Sequence, residues 1–146
     1  IVIWESNTIM RYLCATHDGA RLHPQDPGVR SLVERWMDWQ LASLAMPMGT
    51  LLMGYYRTPP EKRDLGALEA ARQRSQELWA IAEHELEGRR FMAGDALTLA
   101  DIALASYVHR WHQYPIERAA TPRLTAWYHR LGERPGFKTH IAGPVS

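Results

Sequence analysis

The residues with the clearest capacity for chemistry are Glu5-Ser6, set between an apolar run, Ile1-Val2-Ile3-Trp4, and a stretch whose apolar residues recur at helical spacing. A helix starting there leaves its first backbone N–H groups without internal partners and puts the positive end of the helix dipole behind them. Such a corner binds a carboxylate, with the Ser6 hydroxyl and amide both donating. The Glu5 carboxylate alongside offers a negative charge to an adjacent ammonium. A carboxylate and an ammonium on one carbon make the free end of an α-amino acid. The other reading is that Ser6 merely caps the helix and Glu5 is a solvated surface charge. The two residues alone leave both open.

A second group is structural. In Leu97-Thr98-Leu99-Ala100-Asp101-Ile102 the spacing predicts a capping box, with Thr98 accepting from the Asp101 N–H and the Asp101 carboxylate reaching back to the Thr98 N–H. Leu97 and Ile102 can then staple the helix start. Asp101 sits among apolar residues as a catalytic acid could, but its partners are local and set by spacing, so the capping role is the one expected. Cys14 reads as a small buried apolar residue on its helix, not a nucleophile, with no base placed beside it. His109 and His112 lie one helical turn apart, yet no third ligand follows at metal-site spacing, so no metal is expected. Trp36, Trp39, Trp79, Trp111 and Trp127 read as packing anchors.

The elements that must position these residues follow from periodicity. Ile1–Trp4 reads as a strand. Ile9, Met10, Leu13, Cys14 and His17 form one face of a helix that Asp18-Gly19 stops. Residues 18–28 carry prolines and glycines and read as a linker. From Val29 a long helix runs to Tyr56, with a kink expected at Pro47, and Arg57-Thr58-Pro59-Pro60 turns it. Leu68, Ala71, Ser75, Leu78, Ala82 and Leu86 trace the next helix, which Gly88 ends; another runs from Thr98 to about Arg110. Thr121-Pro122 opens the last long one, with Thr121 as cap, and Leu124, Trp127, Tyr128 and Leu131 supply its buried face. One short turn is expected after residue 136. The class is all-α: a bundle of about four or five helices.

Composition narrows the partners. Of 146 residues, 46% are apolar, enough to bury a sizeable core. Lys and Arg total 17 against 16 Asp and Glu, interleaved without a basic patch, which argues against nucleic acid and anionic membrane. The longest apolar runs, Ala45–Tyr56 and Thr98–Val108, fall well short of the roughly 18 residues of a membrane span. The single cysteine, with no signal peptide, favours a cytoplasmic setting. Ile1 is no translation start, and a lone strand at the first residue has nothing to pair with, so a segment upstream is expected.

Three segments together carry a resemblance. Trp4-Glu5-Ser6-Asn7-Thr8-Ile9-Met10-Arg11-Tyr12-Leu13 resembles the E-S-x-x-I-x-x-Y-L segment that closes the thioredoxin-like half of cytosolic glutathione transferases. Phe91 through Asp95 and Leu97 through Ile102 resemble that family's capping-box segment, and Leu124-x-x-Trp127-Tyr128-x-x-Leu131-x-x-Arg134-Pro135 with Phe137 its penultimate helix and exit. The matches fall in the family's order and cover essentially the whole chain.

The resemblance implies three parts: residues 1–18, the remnant strand and helix of a thioredoxin-like α/β domain; residues 19–28, a linker; and residues 29–146, the all-helical C-terminal domain. It implies that Glu5 and Ser6 hold the γ-glutamyl end of glutathione, here a substrate, whose thiolate attacks a small hydrophobic electrophile. It places the residue that stabilises the thiolate in a missing front part, so that the segment from Ile1 alone would be inactive. The electrophile would lie against the helical domain, on Met48, Leu52, Tyr56 and Trp111; the alternative is that all four are core. It also implies a homodimer, with Arg11 and Tyr12 near the partner. A non-catalytic adaptor built on the same helical domain is the competing function, and a plain helical bundle without ligand the third.

Overall fold

The computed structural model describes residues 1–145. Among them the chain forms seven α-helices: α1 (Ser6–Thr16), α2 (Pro27–Trp39), α3 (Ala45–Leu52), α4 (Leu65–Glu85), α5 (Leu99–Gln113), α6 (Pro122–Gly132) and α7 (Pro135–His140). Helix α5 packs against α2, α3 and α6, while α4 packs on α3 and α6. The described residues hold no sheet, only a lone antiparallel bridge between Phe91 and Gly94. The expected strand at Ile1–Trp4 is absent: β-branched residues favour extended backbone, but a strand needs a ladder, and here Ile1, Val2 and Trp4 stand exposed.

Helices α2 and α4 start where their capping chemistry allows. Helix α2 begins at Pro27 rather than Val29, because Asp26 accepts from the Val29 N–H at 2.9 Å and Pro27 is pre-set for the first helical position. Asp64 caps α4 in the same way, accepting from the Ala67 N–H at 2.9 Å. Beyond the end of α4, Gly88 takes a left-handed φ of 69°, a conformation that costs a glycine little. Helix α6 departs from expectation. Thr121 makes no side-chain cap. The Glu83 carboxylate of α4 instead accepts from the N–H groups of Leu124 at 2.8 Å and Arg123 at 3.2 Å. A carboxylate there also sits favourably on the helix dipole.

The long helix expected over Val29–Tyr56 changes winding ahead of Pro47. Residues Gln40–Leu44 form a π-turn in which the Ala45 N–H reaches back to the Gln40 carbonyl, and Met53–Arg57 form a second. Proline cannot donate to the preceding turn and crowds it, and a wider turn just before it accommodates both. The tryptophans are packing anchors, as expected: Trp79, Trp111 and Trp127 are among the largest fully buried side chains, and Trp36 and Trp39 meet edge-on at 5.1 Å.

Candidate functional site

The Glu5-Ser6 corner stands at the start of α1. Glu5 precedes the helix at φ 67°, ψ 118°, and is the one described non-glycine residue at positive φ. For a residue with a Cβ this conformation costs on the order of 1–3 kcal/mol, and it persists only where the surroundings impose it. The Glu5 carbonyl accepts from the Ile9 N–H at 2.9 Å, which ties the strained residue into the first helical turn. Ser6 is the first helical residue, not the cap, and no side chain caps α1. Among the described residues no side chain accepts from the first N–H groups of this helix, in contrast to those of α2, α4 and α6. Glu5 and Ser6 are both exposed, while Asn7, next along, turns inward.

The corner thus offers a positive helix end that no described side chain caps, a hydroxyl and an exposed carboxylate within two residues. Together they can hold a small zwitterion: carboxylate on the amides and Ser6, ammonium on Glu5. The strain at Glu5 is a signal that sequence reading does not supply, because φ is not written in residue type.

The residues proposed for the electrophile occupy two depths. Met48 and Trp111 are only 2% and 1% exposed and sit in the core, while Leu52 and Tyr56 are half-buried. Hydrogen bonds knit these positions together. The Tyr114 hydroxyl donates to the Met48 carbonyl at 3.0 Å and the Tyr56 hydroxyl to the Gln113 carbonyl at 3.0 Å. The Arg118 guanidinium donates to the Trp111 carbonyl at 2.7 Å and also to the Tyr114 carbonyl. Burial raises the Tyr114 phenol well above its usual range, so it stays a donor.

Asp101 is a buried acceptor hub, 0% exposed. The capping box is formed, with the Thr98 N–H donating to Asp101 Oδ2 at 2.9 Å and the Thr98 hydroxyl to the same oxygen at 3.1 Å. Two further donors, beyond reach of local spacing, fill Oδ1: the Met92 N–H and the Trp127 indole N–H, each at 2.9 Å. Burial pushes the Asp101 carboxyl up from the ordinary carboxylate range, and these donors oppose that shift. An apolar cleft of about 420 Å³ between α5, α6 and α7, walled by Leu97, Ile102, Leu131, Phe137 and Ile141, also touches Asp101 but not Glu5 or Ser6.

The remaining candidates have ordinary partners. Burial raises the Cys14 thiol, which disfavours the thiolate a nucleophile needs. His109 donates from Nε2 to the Gly143 carbonyl at 2.9 Å and faces the Tyr128 hydroxyl with Nδ1 at 3.0 Å. His112 donates from Nδ1 to the Val108 carbonyl at 2.9 Å and stacks on Tyr128 at 4.3 Å. Arg11 reaches across to α2, 3.2 Å from Asp38 and 3.5 Å from Glu34, whereas Tyr12 stays exposed.

Comparison with known proteins adds the family. Residues 41–135 match the family model described as the glutathione S-transferase C-terminal domain. The chain is 36% identical to glutathione S-transferase GstB of Escherichia coli over 146 residues, all of this chain and 70% of that protein. It superposes with a TM-score of 0.95 on the theta class glutathione S-transferase of the citrus canker pathogen Xanthomonas axonopodis pv. citri, solved with glutathione bound. That pair is 38% identical, and the match covers 100% of this chain and 76% of the other. A more distant relative, the disulfide-bond oxidoreductase YfcG of Escherichia coli, is 26% identical over 91% of this chain and 60% of its own.

Proposed function

The chain belongs to the glutathione S-transferase family, and on that footing we propose that its Glu5-Ser6 corner holds the γ-glutamyl end of glutathione. The tripeptide's free carboxylate lies on the amides at the head of α1 and on the Ser6 hydroxyl. Its ammonium lies beside the Glu5 carboxylate. The observation that carries the reading is Glu5 itself: an exposed, non-glycine residue held at positive φ, directly before a helix whose first turn no side chain caps. Strain of this kind is retained where it aims a group at a ligand.

The protein is a glutathione transferase. The glutathione sulfur, as thiolate, attacks an electrophilic carbon or sulfur. A new bond to sulfur forms, and the leaving group departs with the bonding pair. A hydrogen bond to the thiolate lowers the thiol pKa and raises the nucleophile's population at neutral pH. The electrophile, a small hydrophobic molecule, rests against Leu52 and Tyr56, with Met48 and Trp111 packed behind them as a floor. Residues 1–18 close the glutathione-binding part, 19–28 form the linker and 29–146 the helical domain. A cytoplasmic homodimer, with exposed Tyr12 near the partner, completes the reading. An adaptor that only contacts proteins would gain nothing from the strain at Glu5, which is why the enzyme reading stands first.

Calorimetric titration of glutathione into the intact protein tests the site. Ser6→Ala should weaken binding by about 1–3 kcal/mol, the range for a lost charge-assisted hydrogen bond. Unchanged affinity would remove Ser6 from the site.

A further inference from the structure

Asn7, next to Ser6, is 2% exposed and carries two observations that the glutathione-binding reading does not use. Its Nδ2 donates to the Met37 carbonyl at 3.0 Å and, more weakly, faces Gln40 Oε1 at 3.4 Å, while its Oδ1 is buried with no partner among the described residues. The Met37 carbonyl can only accept, which fixes the amide orientation. A buried polar group left without a partner costs about 1–3 kcal/mol, so a side chain that only filled space would be better apolar. Gln40 is itself buried and opens the π-wound stretch at the end of α2.

The other polar side-chain tie between α1 and α2 among the described residues is the ion pair of Arg11 with Asp38 and Glu34. Its side chains are 29% to 71% exposed, so it is loosened by solvent and side-chain entropy. Of these two polar ties Asn7 is the buried and firmer one. Set one residue into the helix, it holds the amides of the first turn in place against the helical domain.

We propose that Asn7 is a positioning residue for the Glu5-Ser6 corner, fixing the head of α1 to the Met37 carbonyl and Gln40 so that the helix amides and Ser6 stand where a zwitterionic end can use them. This rests on the reading of that corner as the glutathione site. Binding energy depends on groups held in place before the ligand arrives, and a shift of about 1 Å is enough to lose much of it.

The test is a double-variant cycle on the intact protein: Ser6→Ala, Asn7→Ala and the pair, with glutathione affinity measured by calorimetry where circular dichroism shows every variant folded. Asn7→Ala should weaken glutathione binding by about tenfold and raise the KM for glutathione, leaving the KM for the electrophile unchanged. In the pair, Asn7→Ala should add clearly less than its own roughly tenfold loss, since the Ser6 hydroxyl is gone and only the helix amides remain to be positioned. Arg11→Ala should leave affinity within about twofold. Normal glutathione affinity in folded Asn7→Ala, or penalties that sum in full, overturns the proposal. Should Asn7→Ala not fold, Gln40→Ala removes only the weaker contact and should cost about threefold; no change there overturns it as well. If Ser6→Ala itself has no effect, the site reading fails and takes this inference with it. If Ser6→Ala weakens binding and Asn7→Ala does not, the inference alone fails.

Discussion

Replacing Asp101 by alanine should cost several kcal/mol of stability without touching the chemistry. The wild-type carboxylate accepts from the Met92 N–H, the Thr98 N–H and the Trp127 indole N–H, each at 2.9 Å, and from the Thr98 hydroxyl at 3.1 Å. Removing it strands three N–H groups around a fully buried position. The hydroxyl can turn elsewhere. At about 1–3 kcal/mol for each stranded donor the loss would reach about 3–9 kcal/mol. The space left by a carboxylate admits a water, which serves one or two of the donors and brings the expectation to about 3–5 kcal/mol. That is a large share of the roughly 5–15 kcal/mol that holds a typical domain folded. Urea titration followed by tryptophan fluorescence reads it directly. With a slope of about 2 kcal/mol per molar, the midpoint should fall by about 2 M at unchanged slope. Asp101→Asn should lie between, because one carbonyl oxygen remains to accept while the new N–H groups face donors. A midpoint within about 0.5 M of wild type, with turnover lost, would refute this account and make Asp101 a chemical group.

Further expectations come from other contacts. Glu83→Ala should destabilise by about 1–2 kcal/mol in the same assay, since its carboxylate caps α6, whereas Thr121→Ala should change little because its hydroxyl caps nothing. Tyr56→Ala should raise the KM for the electrophile by about tenfold and leave that for glutathione unchanged, as a half-buried aromatic wall would. Burial holds the His112 pKa below its ordinary value, so the unfolded chain takes up a proton there first. Stability should therefore fall as pH drops from about 6.5 toward the folded pKa, and His112→Phe, which keeps the ring over Tyr128, should flatten that part of the thermal-melting profile.

How much of this was legible in the sequence depended on range. The Thr98–Asp101 box was, since both partners lie within one turn. The donors from Met92 and Trp127 were not, because only the fold brings them to the same carboxylate. The same limit explains α6: Thr121-Pro122 has the composition of a helix start, but the acceptor comes from Glu83 on another helix. Helical spacing placed Met48, Leu52 and Tyr56 together without saying that Met48 faces inward and Tyr56 only partly so. Pro47 announced a disturbance, and its form, a π-turn ahead of the proline, depends on packing. Ile1–Trp4 had the propensity of a strand and no ladder to join. At the candidate site the residue types were readable; the backbone strain at Glu5 and the inward turn of Asn7 were not.

The grip of the α1 corner on a γ-glutamyl end is tested most directly by amide NMR of the intact protein. The Ser6 N–H resonance is followed while glutathione, and separately the dipeptide cysteinylglycine that lacks the γ-glutamyl group, is added. The Ser6 amide should shift and saturate with glutathione and stay still with the dipeptide. A Ser6 resonance that ignores saturating glutathione, or answers both compounds alike, would contradict the assignment.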